Sequence, residues 1–299
     1  MSRQEGTADP GLAGGTGGRG HVAAQRPTAR LPRAPRISGS RAAGPGPVRT
    51  LGNVLLDPET ENEIAYELCQ LLGRAILPVH GSDGPGAPAG TFGTAFFYSE
   101  LIGATDDGEV VHEWLLTAAA TTRAPYGEIG LRPSVTEPAD AAAEPVELPD
   151  FADRWLDLPE IGLAAMPTGG LHGYAEDRGW TWRTQQVTDA MAAPADAVAR
   201  VGAEPRSAFV LALGVGDDGS RPLEAVIERV ACDGDEVRVT TELPAGYAGA
   251  PVFGVEAGPD GEMALHCLGL LLPATSGGHP VATFDRIRSA LAAATAGYR

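Results

Sequence analysis

Apolar positions along the chain fall into two regimes that meet near residue 74. From 57 to 73 they recur at helical spacing. Ile64, Leu68, Leu71 and Leu72 predict one buried face, Asp57-Pro58-Glu59 supplies an N-cap, a proline at the first helical position and an acidic first turn, and Gly73 ends the run. After Gly73 the pattern changes to short apolar runs punctuated by Gly, Pro and Asp, at 75–79, 93–98, 114–117, 209–213, 225–227, 237–239, 251–253 and 268–272. Many short strands at this spacing predict an all-β body of antiparallel sandwich or barrel type. Trp180 and Trp182 alternate on one such strand, so both rings fall on one face and are expected to pack inside. A last helix is predicted from 284 to 296, with Thr283 as its cap and Ile287 and Leu291 on one stripe. Two longer connections interrupt the strands. Residues 134–153, rich in Pro, Ala and acids, read as a solvated surface loop; 188–204 read as a short helix or a loop between two halves. The body from about 74 to 283 is long enough for two six-stranded antiparallel barrels.

Charge divides the chain again. All 22 basic residues are arginine, against 39 acids in 299 residues, for a formal charge of −17 and a pI near 4.7. Residues 1–50 hold eight arginines against only Glu5 and Asp9, a net +6, which leaves −23 on the rest. They also carry ten Gly, six Pro and no aromatic residue, a composition that cannot bury enough apolar surface to offset its conformational entropy. Residues 1–52 are therefore expected to be a disordered basic tail. As a functional element such an arm contacts nucleic acid, acidic lipid or the protein's own acidic domain; as a bland one it only solubilises. It lacks the apolar stretch of a secretory signal and the arginine pair of a twin-arginine leader. The acidic body argues against nucleic-acid binding by the folded part, and no apolar window reaches a membrane span. Cys69, Cys232 and Cys267 form neither a disulfide framework nor a zinc spacing, so no metal or cofactor is expected and a cytoplasmic location is.

Four segments then line up in one order. Gly93-Thr94-Ala95-Phe96-Phe97 precedes Trp114-Leu115-Leu116-Thr117-Ala118-Ala119-Ala120-Thr121. Trp155 to Ala164 follows, and then Gly246-Tyr247-Ala248-Gly249-Ala250-Pro251-Val252-Phe253-Gly254, with His266-Cys267-Leu268-Gly269-Leu270-Leu271 as the strand after it. Over about residues 75–298 this order resembles the trypsin-like serine peptidases. The resemblance implies a double barrel, a first one at about 75–165 and a second at about 178–283, with the general base at the end of the second block, an aspartate in the third and the nucleophile in the fourth. In this chain those positions read Ala120, Glu160 and Ala248, with Asp157 and Asp153 close enough to compete with Glu160 for the aspartate's place. Acyl transfer needs a nucleophile with a transferable proton and a base within hydrogen-bond reach. A methyl group supplies neither.

The resemblance with its departures therefore implies a pseudo-peptidase that binds an unidentified peptide or protein. Two alternatives stay open: a serine-type endopeptidase working through unconventional residues, and an interaction subunit whose partner uses another surface. Gly246, Tyr247, Ala248 and Gly249 are the expected remnant of an oxyanion-hole-like cradle, with the Gly246 and Ala248 N–H groups pointing into it. Tyr247 stands where peptidases activated by N-terminal cleavage place an aspartate, so that activation is not expected. Other tempting groups have blander accounts. Ser276-Gly277-Gly278-His279 reads as a hairpin turn, Cys267 as a buried thiol facing away from His266, and His112 as a surface or packed histidine. Asp106-Asp107-Gly108-Glu109 and Asp217-Asp218-Gly219 read as turns rather than calcium loops. Lysine-free, Ala/Gly/Arg-rich usage suits a high-GC bacterium.

Overall fold

The computed structural model of the chain describes residues 36–37, 55–105, 108–139, 141, 144–212, 223–257 and 263–296. Its first helix, α1 (Pro58–Leu72), starts where the sequence places it: the Asp57 carboxylate accepts from Thr60 N (3.0 Å) and from the Thr60 hydroxyl (2.7 Å). These bonds to its charged form hold the Asp57 carboxyl below its ordinary pKa. The buried stripe is Ile64, Ala65, Leu68 and Leu72, whereas Leu71, expected on that face, lies at its margin and is 36% exposed. Glu61 is buried on the same helix and ties it down, accepting from Ser207 Oγ (2.5 Å) and from Arg229 Nη1 (2.9 Å).

The first sheet contains β1 (Ile76–Ser82), β2 (Ala89–Thr105), β3 (Gly108–Ala118), β4 (Tyr126–Ile129), β5 (Val146–Pro149), β6 (Leu156–Leu158) and β7 (Leu163–Pro167). Neighbours run β5-β4-β1-β2-β3-β7-β6, all antiparallel, so the sheet curls as a half-barrel with β5 and β6 at its two edges. The chain itself spans the gap: a 3-10 turn (Phe151–Arg154) joins β5 to β6 and buries Phe151 and Trp155, whose rings meet edge-on at 5.7 Å. Residues 134–153 are thus not the solvated loop expected of them. In β5 Val146 and Leu148 point inward while Glu147 and Pro149 face water, so half of an acid-rich segment is core. Trp180 and Trp182 close the other end of this core, 5.0 Å apart.

The second sheet is β8 (Arg206–Ala212), β9 (Glu224–Asp233), β10 (Glu236–Val239), β11 (Pro251–Ala257), β12 (Met263–Leu271) and β13 (His279–Thr283). It closes completely: β12 pairs with β11, β11 with β8, β8 with β9, β9 with β10, β10 with β13, and β13 returns to β12. Between the two sheets lie α2 (Gly169–Asp177) and the short α3 (Ala195–Ala199), and the chain ends in α4 (Phe284–Thr295) with Thr283 at its N-cap. The protein is mostly β, a half-barrel and a closed six-stranded barrel with a helix before and a helix after. The two-residue strand at Arg36 and Ile37 pairs with Ala264 and Met263; otherwise the expected tail at 1–52 lies outside the described residues, as do Asp106, Asp107 and 217–219.

Three buried clusters hold this together. One fills the half-barrel around Phe97, Leu115 and Phe151; one fills the closed barrel around Val210, Val239 and Val252. The third joins them, with Phe96, Tyr98 and Leu116 from the first sheet, Phe209, Phe253 and Leu270 from the second, and Phe284, Ile287 and Leu291 from α4. A polar clamp reinforces that junction. Asp189 accepts from the Tyr98 hydroxyl (2.8 Å) and from Arg288 Nε (2.7 Å), and Arg288 also donates to the Asp189 and Ala192 carbonyls (2.9 and 3.3 Å). Burial and the Asp189 carboxylate push the Tyr98 phenol far above its ordinary pKa, so it stays a donor.

Candidate functional site

The loop that follows Pro244 is wound as a 3-10 turn (Ala245–Tyr247) before β11. Its N–H groups from Tyr247 to Ala250 are all engaged. Tyr247 N–H donates to Pro244 O (3.0 Å), Ala248 N–H to Ala245 O (3.0 Å), Gly249 N–H to Leu271 O (2.8 Å) and Ala250 N–H to Tyr247 O (3.0 Å). Across the junction, Thr94 N–H donates to Ala248 O (2.9 Å) and the Thr94 hydroxyl to Gly246 O (3.0 Å). The Thr117 hydroxyl in turn donates to Thr94 O (2.8 Å). Gly249 has φ +92°, and a Cβ there would stand 2.0 Å from Thr94 O and 2.5 Å from Thr117 Oγ1, so only glycine fits.

Around this loop the segments carrying the sequence-predicted positions converge. Ala118 N is 3.0 Å from the place of a Gly249 Cβ, and the next turn (Ala119–Thr121) carries Ala120 outward to solvent. Ala119 N–H donates to Gly162 O (2.9 Å), which brings in the turn between β6 and β7. Glu160 on that turn and Asp157 on β6 are both exposed. Ala248 is 4% exposed, and Gly246, Tyr247 and Gly249 are buried with it. The residues expected to form an oxyanion-like cradle are therefore buried. The Ala248 amide already has a carbonyl partner within its own turn, so it is not a free donor for a substrate oxygen.

His279 is the residue here that sequence reasoning undervalued. Ser276 and Gly277 form the expected turn, with Thr275 and Gly278 bridged and both glycines at positive φ. The histidine beside them is buried and faces the other way. Leu243 N–H donates to its Nε2 (2.9 Å), which makes Nε2 the acceptor and leaves Nδ1–H to donate to Leu272 O (2.7 Å). One imidazole thereby pins the segment entering the 245–249 loop to the end of β12. The only sequence signal was a histidine after two glycines.

The remaining chemistry-bearing residues lie apart from this loop. Cys267 is fully buried, with its thiol pushed well above the ordinary range by that burial, and His266, its neighbour on β12, faces a different hollow also lined by Ser207 and Gly254. His112 is half exposed and stands 3.9 Å from Glu100 with its ring edge-on to Trp114. A carboxylate hub not foreseen from sequence occupies the outer face of β3: Glu113 accepts from Gln186 Nε2 (2.7 Å), meets His172 Nε2 at 3.0 Å and takes the Thr168 hydroxyl at 3.3 Å. There the hydroxyl and the imidazole both turn to the acid rather than to each other, so no base–nucleophile contact exists. Among the described residues no group of three or more His, Cys, Asp or Glu is placed to hold a metal, and no helix is long and apolar enough to cross a membrane.

No known family profile matches the chain, and no curated protein matches its sequence. Solved structures do resemble its architecture. A serine endoprotease from Yersinia pestis, 8% identical, aligns over 79% of this chain and 68% of its own, with a TM-score of 0.44. A serine protease of a human pathogenic astrovirus, 14% identical, aligns over 69% of this chain and 88% of its own, with a TM-score of 0.35. At these values the likeness is one of general β architecture and reaches no individual residue.

Proposed function

We propose that this chain is a trypsin-like domain without catalytic activity that acts by binding a peptide or protein partner in a bacterial cytoplasm. The observation that carries this reading is the 245–249 loop. Its nucleophile position is a buried methyl, and the adjoining amide is committed to Ala245 O rather than offered to a substrate. The base position on the neighbouring turn, Ala120, is a second methyl. Hydrolysis in such a site has neither a group to attack nor a group to take the proton. The half-barrel and closed barrel, with the four sequence blocks in order along them, support the scaffold assignment.

A second reading is favoured by the same loop: because Gly246, Tyr247, Ala248 and Gly249 are all buried, the partner engages a surface other than the old cleft. Ala120 and Glu160 are exposed beside that loop and separate the two readings without disturbing the core. The test is capture of partners from the native host by the immobilised full chain, repeated with Ala120→Arg and Glu160→Arg. Loss of a partner seen with wild type supports cleft binding. Undiminished capture by both variants contradicts it and leaves the second reading. Turnover of casein or of a peptide library by the purified chain would overturn both.

A further inference from the structure

Within the closed barrel, β12 is paired on both sides over only part of its length. β12 pairs with β11 along residues 263–270, but β13 reaches it only at Gly269, Leu270 and Leu271. The linker between the sheets covers one more position: Cys267 N–H donates to Met191 O and Ala193 N–H to Cys267 O, both at 2.8 Å. That leaves the backbone edge of residues 263–266 beyond the reach of β13 and of the linker, an edge of the kind that takes an added strand. A groove of about 390 Å³ opens beside it, lined by Ile64, Glu67, Leu68, Leu71, Gln185 and Leu265. Leu71 is the apolar residue that α1 leaves partly exposed there.

We propose that this edge and groove are the docking site of the chain's own basic segment 32–37, which adds to the barrel as a further antiparallel strand. Arg36 and Ile37 already pair with Ala264 and Met263. Pro35, the residue before this pair, has no N–H to give a ladder. Pro32 and Pro35 favour an extended backbone that loses little entropy on lying along an edge. Charge favours the same occupant, since residues 1–50 carry +6 and the remainder −23. Length permits it within one molecule: residues 38–54 number 17 and span up to about 3.3–3.6 Å each, ample to run from the edge of β12 to the start of α1. Backbone bonds supply the affinity and the apolar groove the selectivity, as in other strand-addition sites. The site lies away from the 245–249 loop and does not depend on how that loop is read.

The test is hydrogen exchange in the full-length protein, followed by mass spectrometry on peptides covering 263–268, in wild type and in Ile37→Pro. Exchange at 263–266 is expected to speed up about tenfold in the variant, the effect of losing one or two edge hydrogen bonds, while β8 amides stay unchanged and report an intact body. A labelled synthetic peptide of residues 32–39 is expected to bind the Ile37→Pro chain several-fold more tightly than wild type, whose site is filled. Charge reversal at Arg33 and Arg36 to Glu is expected to speed the same amides, and 0.5 M salt to do so in wild type. Identical exchange at 263–266 in all chains would overturn the proposal. So would protection that rises with protein concentration alongside a dimer in sedimentation, because a second copy would then fill the edge.

Discussion

The two sheets hold their shared junction in different ways. In the closed barrel every strand has a partner strand on each side, and the 245–249 loop is fixed from below by Leu271 O and at its entry by His279. The half-barrel ends on β5 and β6 and makes up for the missing pairing with aromatic side chains, Phe151 and Trp155 at one end and Trp180 and Trp182 at the other. Backbone closes one sheet and side chains close the other. At the meeting point backbone groups again predominate: Thr94 N–H and hydroxyl reach the Ala248 and Gly246 carbonyls, and Gly249 sits against Thr94 O with no room for a side chain. The junction is built for contact, and on the reading proposed above its nucleophile and base positions are the methyl groups of Ala248 and Ala120.

That contrast can be broken from either side. The largest effect belongs to Gly249→Val, which forces a branched side chain onto a left-handed backbone against a carbonyl; a loss of about 4 kcal/mol or more in urea unfolding is expected, often as failure to accumulate folded protein. Phe151→Ala opens the side-chain closure of the half-barrel and is expected to cost about 3–5 kcal/mol, with extra hydrogen exchange in β4 and β5 and little change in β11. The reverse pattern, exchange spreading first through the closed barrel, would contradict the distinction. His279→Ala leaves Leu243 N–H and Leu272 O without their partner and is expected to cost about 1–3 kcal/mol while loosening residues 243–249 ahead of the rest.

The smallest effect is one of pH. His80, on β1 of the half-barrel and edge-on to Phe92, is held below its ordinary value of 6.5 by burial, a shift opposed by nearby Glu128. Its folded form favours the neutral ring, so between the folded value and 6.5 the unfolded chain binds more protons and stability falls as pH falls. Stability is fully present above about pH 7 and declines below it. Melting temperature is therefore expected to drop less between pH 7.5 and 5.5 in His80→Phe than in wild type. An equal drop in both would remove His80 from the account.

What sequence alone could reach follows the same division. Both terminal helices were legible, the first from the Asp57-Pro58 cap and the last from the stripe of Ile287 and Leu291, although Thr283 makes no side-chain cap bond; most strands of the closed barrel were legible as short apolar runs, but β13 was not. β5 was not, because Val146 and Leu148 alternate with Glu147 among prolines and acids, and their burial depends on Gly127, where a Cβ would stand 2.4 Å from the Phe151 ring. α2 was missed for want of a side-chain cap: it opens on two glycines and buries only Leu171 and Ala175. At the candidate site the residue types at 120, 160 and 248 were readable, but the turn that spends the Ala248 amide on Ala245 O is a matter of backbone conformation. So is the tautomer of His279, set by Leu243 N and Leu272 O from distant parts of the chain.

The central claim, that the junction holds a trypsin-like frame without its chemistry, is tested most directly by a fluorophosphonate probe applied to the purified full-length chain. The account predicts no labelling above that of the heat-denatured protein, at any pH from 6 to 9. Stoichiometric labelling of one residue in the folded protein, abolished by prior denaturation, would contradict it.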